Sequence, residues 1–283
     1  MEIGVFLAVL FVVTILAGLV GSLAGLGGGV VVVPVLILLG FPFVDAVGVS
    51  MITILATSTT SGAAYVHDHL TDIRIGMLLE IATVPGAFVG AVAAIYVARI
   101  GWEDALVIAL GIVLLISAVG TALRNDLDTS GEAHPDRLSR RLGLEGAYYD
   151  VRLQREVRYR AEDTTSAFGV MFSAGVVSAL FGIGAGVFKV FALEGALRLP
   201  MKVATATSNF MIGVTAAAGA SLLVMAGYVN PIFAAPAALG TTVGSYVGSR
   251  ILPRLHNRSV RWFFVGVVFV LGIEVLLRGF GLA

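Results

Sequence analysis

Cysteine is absent from the 283 residues, which excludes disulfides, zinc–thiolate centres, iron–sulfur clusters and thiol nucleophiles. Charge is nearly as scarce. Asp, Glu, Lys and Arg make up 13% of the chain, about half of what a water-soluble domain uses to cover its surface. The formal net charge is zero and no basic arm is present, so nothing would draw in nucleic acid. Histidine is also sparse. His67, His69, His134 and His256 all fall between apolar runs, which leaves a membrane-embedded enzyme without convergent general acids and bases in its spans.

What is abundant is apolar sequence, at 58% of residues, and glycine, at 35. The few charges cluster: 17 of the 36 lie between Arg124 and Asp163, leaving 19 for the other 243 residues. Long near-chargeless runs are stable in lipid, and a helix crossing ~30 Å of hydrocarbon needs ~20 of them. They fall at 3–24, 30–40, 46–66, 75–98 and 105–123, then at 167–181, 187–197, 203–226, 232–249 and 260–277. The first run lacks a basic leader and is expected to be a retained helix rather than a signal peptide. In each set the second run is only about ten residues long, too short to span, and must be a broken or re-entrant segment.

The two sets align. Gly18–Val30 lies over Gly175–Val187 at an offset of 157, and the gap-free register continues to pair Asp45 with Lys202 and Ser50 with Thr207. Further on, an offset of 154 sets Gly86 and Gly90 on Gly240 and Gly244. The expected fold is an all-α integral membrane protein of two homologous halves. Each half has four long helices plus one short segment after a Gly-rich turn, 8–10 membrane segments in total. The domains are a first repeat over 1–123, a polar loop over 124–165 and a second repeat over 166–283. Alternation at Val151, Leu153, Val157 and Tyr159 suits a β-hairpin in the loop, with an amphipathic helix as the alternative.

Lys and Arg are retained in cytoplasmic loops, which orients the halves. If each half crosses an odd number of times, fifteen of them fall on the side of the central loop and two, Arg99 and Arg278, on the other, with Lys189 left uncounted inside an apolar run. An even number of crossings removes the bias. The expectation is therefore an inverted-topology repeat in the cell membrane, with the central loop cytoplasmic and both termini outside.

Gly25-Leu26-Gly27-Gly28-Gly29 and Gly182-Ile183-Gly184-Ala185-Gly186 interrupt helices at the same place in each half. Broken backbone at membrane depth must be buried or line a cavity. In inverted-repeat transporters such breaks turn half-helix N-termini toward an anion. Gly27, Gly28, Gly29, Gly184 and Gly186 are therefore candidate substrate contacts. The pairs Gly86/Gly90, Gly240/Gly244 and Gly244/Gly248 have the small-xxx-small spacing of close helix packing. No Gly-Lys-Ser/Thr follows either cluster, so neither is a phosphate loop.

Hydroxyls and an amide on the third run of each half, Ser50, Thr53 and Thr57 in one and Thr207, Ser208 and Asn209 in the other, could coordinate an oxyanion without a buried counter-charge. Hydroxyls in membrane helices also commonly bond back to their own backbone. Lys189, inside an apolar run, could meet an anion or bridge to Asn209, or else snorkel to an interface. Glu80 has no partner at helical spacing and could carry a coupling proton. Glu194/Arg198 and Glu274/Arg278 have the i, i+4 spacing of helix salt bridges. His67-Asp68-His69 with Asp72 has the composition of a metal cluster without ligand spacing and is expected to be a solvated loop. Neither a metal, a cofactor nor a catalytic residue is expected.

The paired glycine turns with Pro34, together with Ala46-Val47-Gly48-Val49-Ser50 and Ala204-Thr205-Ala206-Thr207-Ser208, resemble the sulfite exporter TauE/SafE family. Gly86-Ala87-Phe88-Val89-Gly90-Ala91 and Gly240-Thr241-Thr242-Val243-Gly244-Ser245 are similar to its later glycine motif. The resemblance covers both membrane halves but not the central forty residues. It implies a multi-pass transporter exporting small sulfur-containing anions such as sulfite and sulfonates, or related carboxylates, by alternating access. An anion leaving a negative-inside cell gains about 2.3 kcal/mol per charge per 100 mV, so uniport would suffice, and a proton through Glu80 is the other option. The lipid bilayer is the remaining partner, and a homo-oligomer stays open. The rival classes are a membrane-embedded enzyme and a scaffold whose arginine-rich loop docks a partner.

Overall fold

The computed structural model describes residues 3–25, 27–123, 136–150, 154–251 and 257–282. Within them the chain forms eight long helices: α1 (Ile3–Ala24), α3 (Phe43–His67), α4 (Ile73–Arg99), α5 (Glu103–Ala122), α7 (Thr164–Phe181), α9 (Met201–Met225), α10 (Pro231–Ile251) and α11 (Asn257–Gly279). Seven are long and apolar enough to cross a membrane. α10 matches them in length, but Gly, Ser and Thr dilute its apolarity. The short segments are α2 (Gly29–Leu38) and α8 (Gly186–Phe191), the latter running on into a π-helical turn over Ala192–Ala196. Four long helices and one short one per half are thus as the apolar runs predict. Leu16, Ile81, Val92, Ile112 and Val270 are exposed, as expected of a chain whose outer solvent is hydrocarbon.

Local chemistry sets the helix starts. Pro42 and Pro200 precede α3 and α9 with matching backbone (φ −56°, ψ 144° and 140°), each ending the short segment and launching the long helix. Asp72 caps α4 by accepting from the Ile75 N–H at 3.0 Å.

Helix directions follow from which glycines meet which backbone. On α4 and α7, Gly86 abuts Phe172 and Val176, and Gly90 abuts Val176 and Leu180, so the two helices run parallel. On α1 and α10, Gly244 abuts Ile15 and Leu19, and Gly240 abuts Phe11 and Thr14, again in parallel. By contrast α5 and α11 are antiparallel, with Gly111 on Leu276 and Gly279 on Ile108. α3 crosses α9 antiparallel, with Ser58 on Gly213 and Gly62 on Phe210.

These contacts correct the repeat register. Gly86 and Gly244 sit against Phe172/Val176 and Ile15/Leu19, pairs that are themselves related by 157. Gly86 is therefore equivalent to Gly244, and Gly90 to Gly248, at an offset of 158 rather than 154. The same 158 relates Phe43 to Met201 and Ile73 to Pro231, the starts of α3/α9 and α4/α10. Ser50 thus corresponds to Ser208, not Thr207, and Asp45 to Val203, not Lys202. The extra residue sits where a π turn follows α8, since one wide turn absorbs one inserted residue without ending the helix.

Between the halves, α6 (Arg137–Leu142) precedes a two-stranded antiparallel hairpin, β1 (Glu145–Asp150) with β2 (Arg155–Arg160), in which Tyr148 faces Val157 and Gly146 faces Tyr159. The predicted hairpin is present with its first strand earlier than expected. Val151 and Leu153 lie outside the described residues. The element docks on one end of the bundle: the Tyr159 hydroxyl donates to Asp72 Oδ2 at 3.0 Å, Arg74 Nη1 donates to the Gly143 carbonyl at 3.3 Å, and Arg198 Nε pairs with Glu162 Oε2 at 3.1 Å. At the opposite end Phe6 stacks on Phe41, both meet Phe233 edge-on, and Arg278 Nη1 donates to the Leu38 carbonyl. Arg198 and Arg278, placed by their spacing to bridge to Glu194 and Glu274, also reach outside their own segments, to Glu162 and to a backbone carbonyl.

Candidate functional site

Both glycine breaks lie in the interior and touch each other. A side chain at Gly29 would run into the Gly182 carbonyl and the Ser50 hydroxyl, so glycine is required there by close approach. Gly25 (φ +73°) and Gly182 (φ +66°) take the left-handed backbone that ends α1 and α7. Gly27 faces Ile212 and Ile54, equivalent residues at the offset of 158, so the breaks face one another across the α3–α9 crossing. Gly28 lies against Ala17 and Thr57. Gly184 and Gly186 are buried in the second break, beside Ala185, which itself has φ +46°.

Reciprocal hydrogen bonds hold the breaks. Ser50 Oγ donates to the Gly182 carbonyl at 2.6 Å, and Ser208 Oγ donates to the Gly25 carbonyl at 2.8 Å. Each half's long helix therefore caps the broken end of the other half's first helix. Asn209 adds a third link, its Nδ2 donating to the Ser22 carbonyl at 3.1 Å, where the Tyr65 hydroxyl also donates at 3.0 Å. Ser58 Oγ donates to the Asn209 carbonyl. Among the described residues Asn209 Oδ1 is buried with no hydrogen-bond partner.

The remaining hydroxyls divide by what they bond. Thr53 donates to the Ser50 carbonyl at 2.7 Å and Thr57 to the Thr53 carbonyl at 2.9 Å. In this arrangement their single protons are directed to carbonyls of their own helix. Thr207 Oγ1 accepts from the Asp72 N–H at 3.0 Å, so it ties α9 to the α3–α4 turn at the hairpin end and is set apart from the breaks.

Lys189 neither snorkels nor bridges to Asn209. It is wholly buried (0% exposed), with Nζ 3.5 Å from Glu80 Oε1, and it also donates to Thr215 Oγ1. Thr215 lies 3.0 and 3.2 Å from the two Glu80 oxygens. Sequence spacing missed this pair because 109 residues separate its members. The available signal was two ionisable residues of opposite sign inside apolar runs, Glu80 in 75–98 and Lys189 in 187–197. The His67–Asp72 segment carries no group placed to hold a metal among the described residues. Asp72 acts as a helix cap instead.

Long apolar helices in two sets, with breaks meeting in the interior, define a multi-pass membrane protein. A match to the sulfite exporter TauE/SafE family covers residues 10–275, and the chain belongs to that family. It is 28% identical over 279 residues to the "Probable membrane transporter protein YunE" of Bacillus subtilis (strain 168), an alignment spanning 96% of this chain and 97% of that protein. It is also 27% identical over 282 residues to the "Probable membrane transporter protein YjnA" of the same organism, spanning 98% and 100%. No solved structure matches.

Proposed function

We propose that the protein exports a small sulfur-containing or carboxylate anion, such as sulfite or a sulfonate, across the cell membrane by alternating access. The observation that carries this reading is the abutment of the two breaks, locked by Ser50 on Gly182 and Ser208 on Gly25. In this closed arrangement both hydroxyl protons sit on carbonyls. Parting the halves on one side frees one serine to donate to an anion and exposes the N–H groups of the adjoining break. Asn209, with one amide proton beyond its bond to Ser22, borders the same place. Lys189 supplies the positive charge. Ser50, Ser208 and Asn209 with Gly27, Gly28, Gly29, Gly184 and Gly186 form the substrate site, and Glu80 carries a proton.

Antiparallel pairing of α3 with α9 and of α5 with α11 supports halves of inverted topology. Arg74, Arg198 and the hairpin arginines share one end of the bundle, which supports a cytoplasmic hairpin and external termini. The test is flux from liposomes holding the purified protein, screened with sulfite, sulfate, sulfoacetate, methanesulfonate and acetate. At least one sulfur oxyanion should move with saturation, and Asn209→Ala and Lys189→Ala should each slow it at least about tenfold, as expected for loss of a charge-assisted contact. Parent-like flux in both variants would overturn the site.

A further inference from the structure

The ion pair stands where the repeat has none. The counterparts of Glu80, Lys189 and Thr215 in the other half are Ala238, Val32 and Thr57, and Thr57 bonds only to its own helix among the described residues. Both halves pack the same elements, so the architecture closes without charge at these positions. A buried ion pair adds little stability over apolar groups of equal volume, because desolvation cancels the attraction. Inside a membrane-spanning bundle it points to function.

Its surroundings are those of an exchangeable pair. The hydroxyl of Thr215 has one proton and three acceptors in reach, Glu80 Oε1 at 3.0 Å, Glu80 Oε2 at 3.2 Å and the Met211 carbonyl at 3.0 Å. It can therefore support Glu80 as a carboxylate or turn to Met211 when Glu80 is an acid. The helix carrying Glu80 packs on α3, α5, α7 and α9. α7 has no ionisable residue. α3 brings Asp45 at the far end, Tyr65 bonded to Ser22, and exposed His67. α5 brings Glu103 and Asp104 in its first turn, and α9 brings Lys202 in its own. Lys189 from α8 is the charged group paired with Glu80.

We infer that Glu80 is a resident stand-in for the substrate on Lys189, so that an anion reaches Lys189 only as Glu80 takes up a proton. This rests on the anion-transport reading above. In the empty protein the Glu80 carboxylate neutralises Lys189. On loading, a proton from solvent forms an O–H bond on Glu80, and the anion replaces the carboxylate at Nζ. On release the proton leaves and the pair re-forms. Empty and loaded forms both carry zero net charge through the closed arrangement, which avoids stranding a charge in a dry interior. One proton travels with each monovalent anion, so transport moves no net charge. Export runs when the outward anion gradient exceeds the inward proton gradient, about tenfold per pH unit.

The experiment uses the full chain in liposomes with an entrapped pH dye and a potential clamped by potassium and valinomycin, with methanesulfonate and sulfite as probes. Methanesulfonate efflux should carry protons one for one, at a rate unchanged when the potential is stepped by about 100 mV. Glu80→Gln should keep methanesulfonate exchange but lose proton movement, with net efflux down at least about tenfold, because the empty variant must return with Lys189 uncompensated. Efflux that responds to potential, or proton movement surviving in Glu80→Gln, overturns the inference alone. Absence of flux for both probes in the parent overturns the transport reading and this inference with it. If Glu80→Gln does not fold, infrared difference spectra of the parent decide. Added methanesulfonate should raise a protonated-carboxyl band, and its absence overturns the inference.

Discussion

Ser50 places its hydroxyl 2.6 Å from the carbonyl of Gly182, a residue 132 positions away in the other half of the chain. Ser208 repeats the bond in reverse on Gly25 at 2.8 Å. Two helices that end at membrane depth leave carbonyls that lipid cannot satisfy, and here each half satisfies the other's. The bonds are therefore capping contacts and locks between the halves at once.

Removing one lock leaves a buried carbonyl without its donor, a loss of about 1–3 kcal/mol. Ser50→Ala and Ser208→Ala should each lower the melting temperature in detergent. Each should also speed hydrogen–deuterium exchange across residues 25–30 and 182–187, because these bonds hold the two breaks against each other. Exchange matching the parent in both variants would mean the serines do not hold the breaks together.

The glycines of α4 and α10 admit a sharper comparison than their spacing alone allows. Gly86 and Gly244 are equivalent and meet backbone on the partner helix, whereas Gly120 has open space where a methyl would go. Gly86→Ala and Gly244→Ala should destabilise by about 1–3 kcal/mol through forced separation of packed helices. Gly120→Ala should be neutral or slightly stabilising through helix propensity. Thermal unfolding of the three in one detergent checks the ranking.

Replacing the ion pair by the residues of the other half, Glu80→Ala with Lys189→Val, separates packing from charge. Stability should stay within about 1 kcal/mol of the parent or rise, since both members of the pair go together. Anion flux should nonetheless fall to the level of empty liposomes. A double variant that transports would show that neither charge takes part.

The docked hairpin has its own pH dependence. Tyr159 is half-buried and donates to Asp72, and burial first, then the neighbouring carboxylate, raise its hydroxyl pKa well above the usual tyrosine value. A group whose folded pKa is raised stabilises the folded form below its unfolded pKa, about 10 for tyrosine, and loses that contribution as pH climbs further. Proteolysis of the hairpin should therefore be slow at pH 8 and quicken above about pH 10. Tyr159→Phe should be cut faster at pH 8 and show less of this alkaline step.

Much of this was legible in the amino-acid order, and what was not has a physical reason. Runs of apolar residues announce each long helix, and glycine triplets announce the breaks, because both are local demands of lipid and of backbone conformation. Ser50 and Ser208 were legible as candidates. Their partners were not, since contacts across 132 and 183 residues leave no periodic trace, and a gap-free alignment pairs Ser50 with Thr207 one residue off. That slip lies in the π turn at Ala192–Ala196, whose sequence is ordinary for a helix. That Thr53 and Thr57 bond back to their own helix was not legible, because that depends on rotamer, not residue type. Glu80 and Lys189 each looked solitary for the same reason that Ser50 did.

The absence of cysteine makes orientation directly measurable, because any introduced thiol is unique. Leu142, at the end of α6, and Leu282, beyond α11, are both exposed and lie at opposite ends of the bundle. Leu142→Cys should be labelled in intact cells only by a permeant maleimide, and Leu282→Cys also by an impermeant one. This follows from the concentration of arginine at the hairpin end, which the negative-inside potential and the anionic inner leaflet retain in the cytoplasm. Labelling of both by the impermeant reagent, or of neither, would mean an even number of crossings between them. That result would overturn the inverted arrangement of the halves on which the proposed alternating access rests.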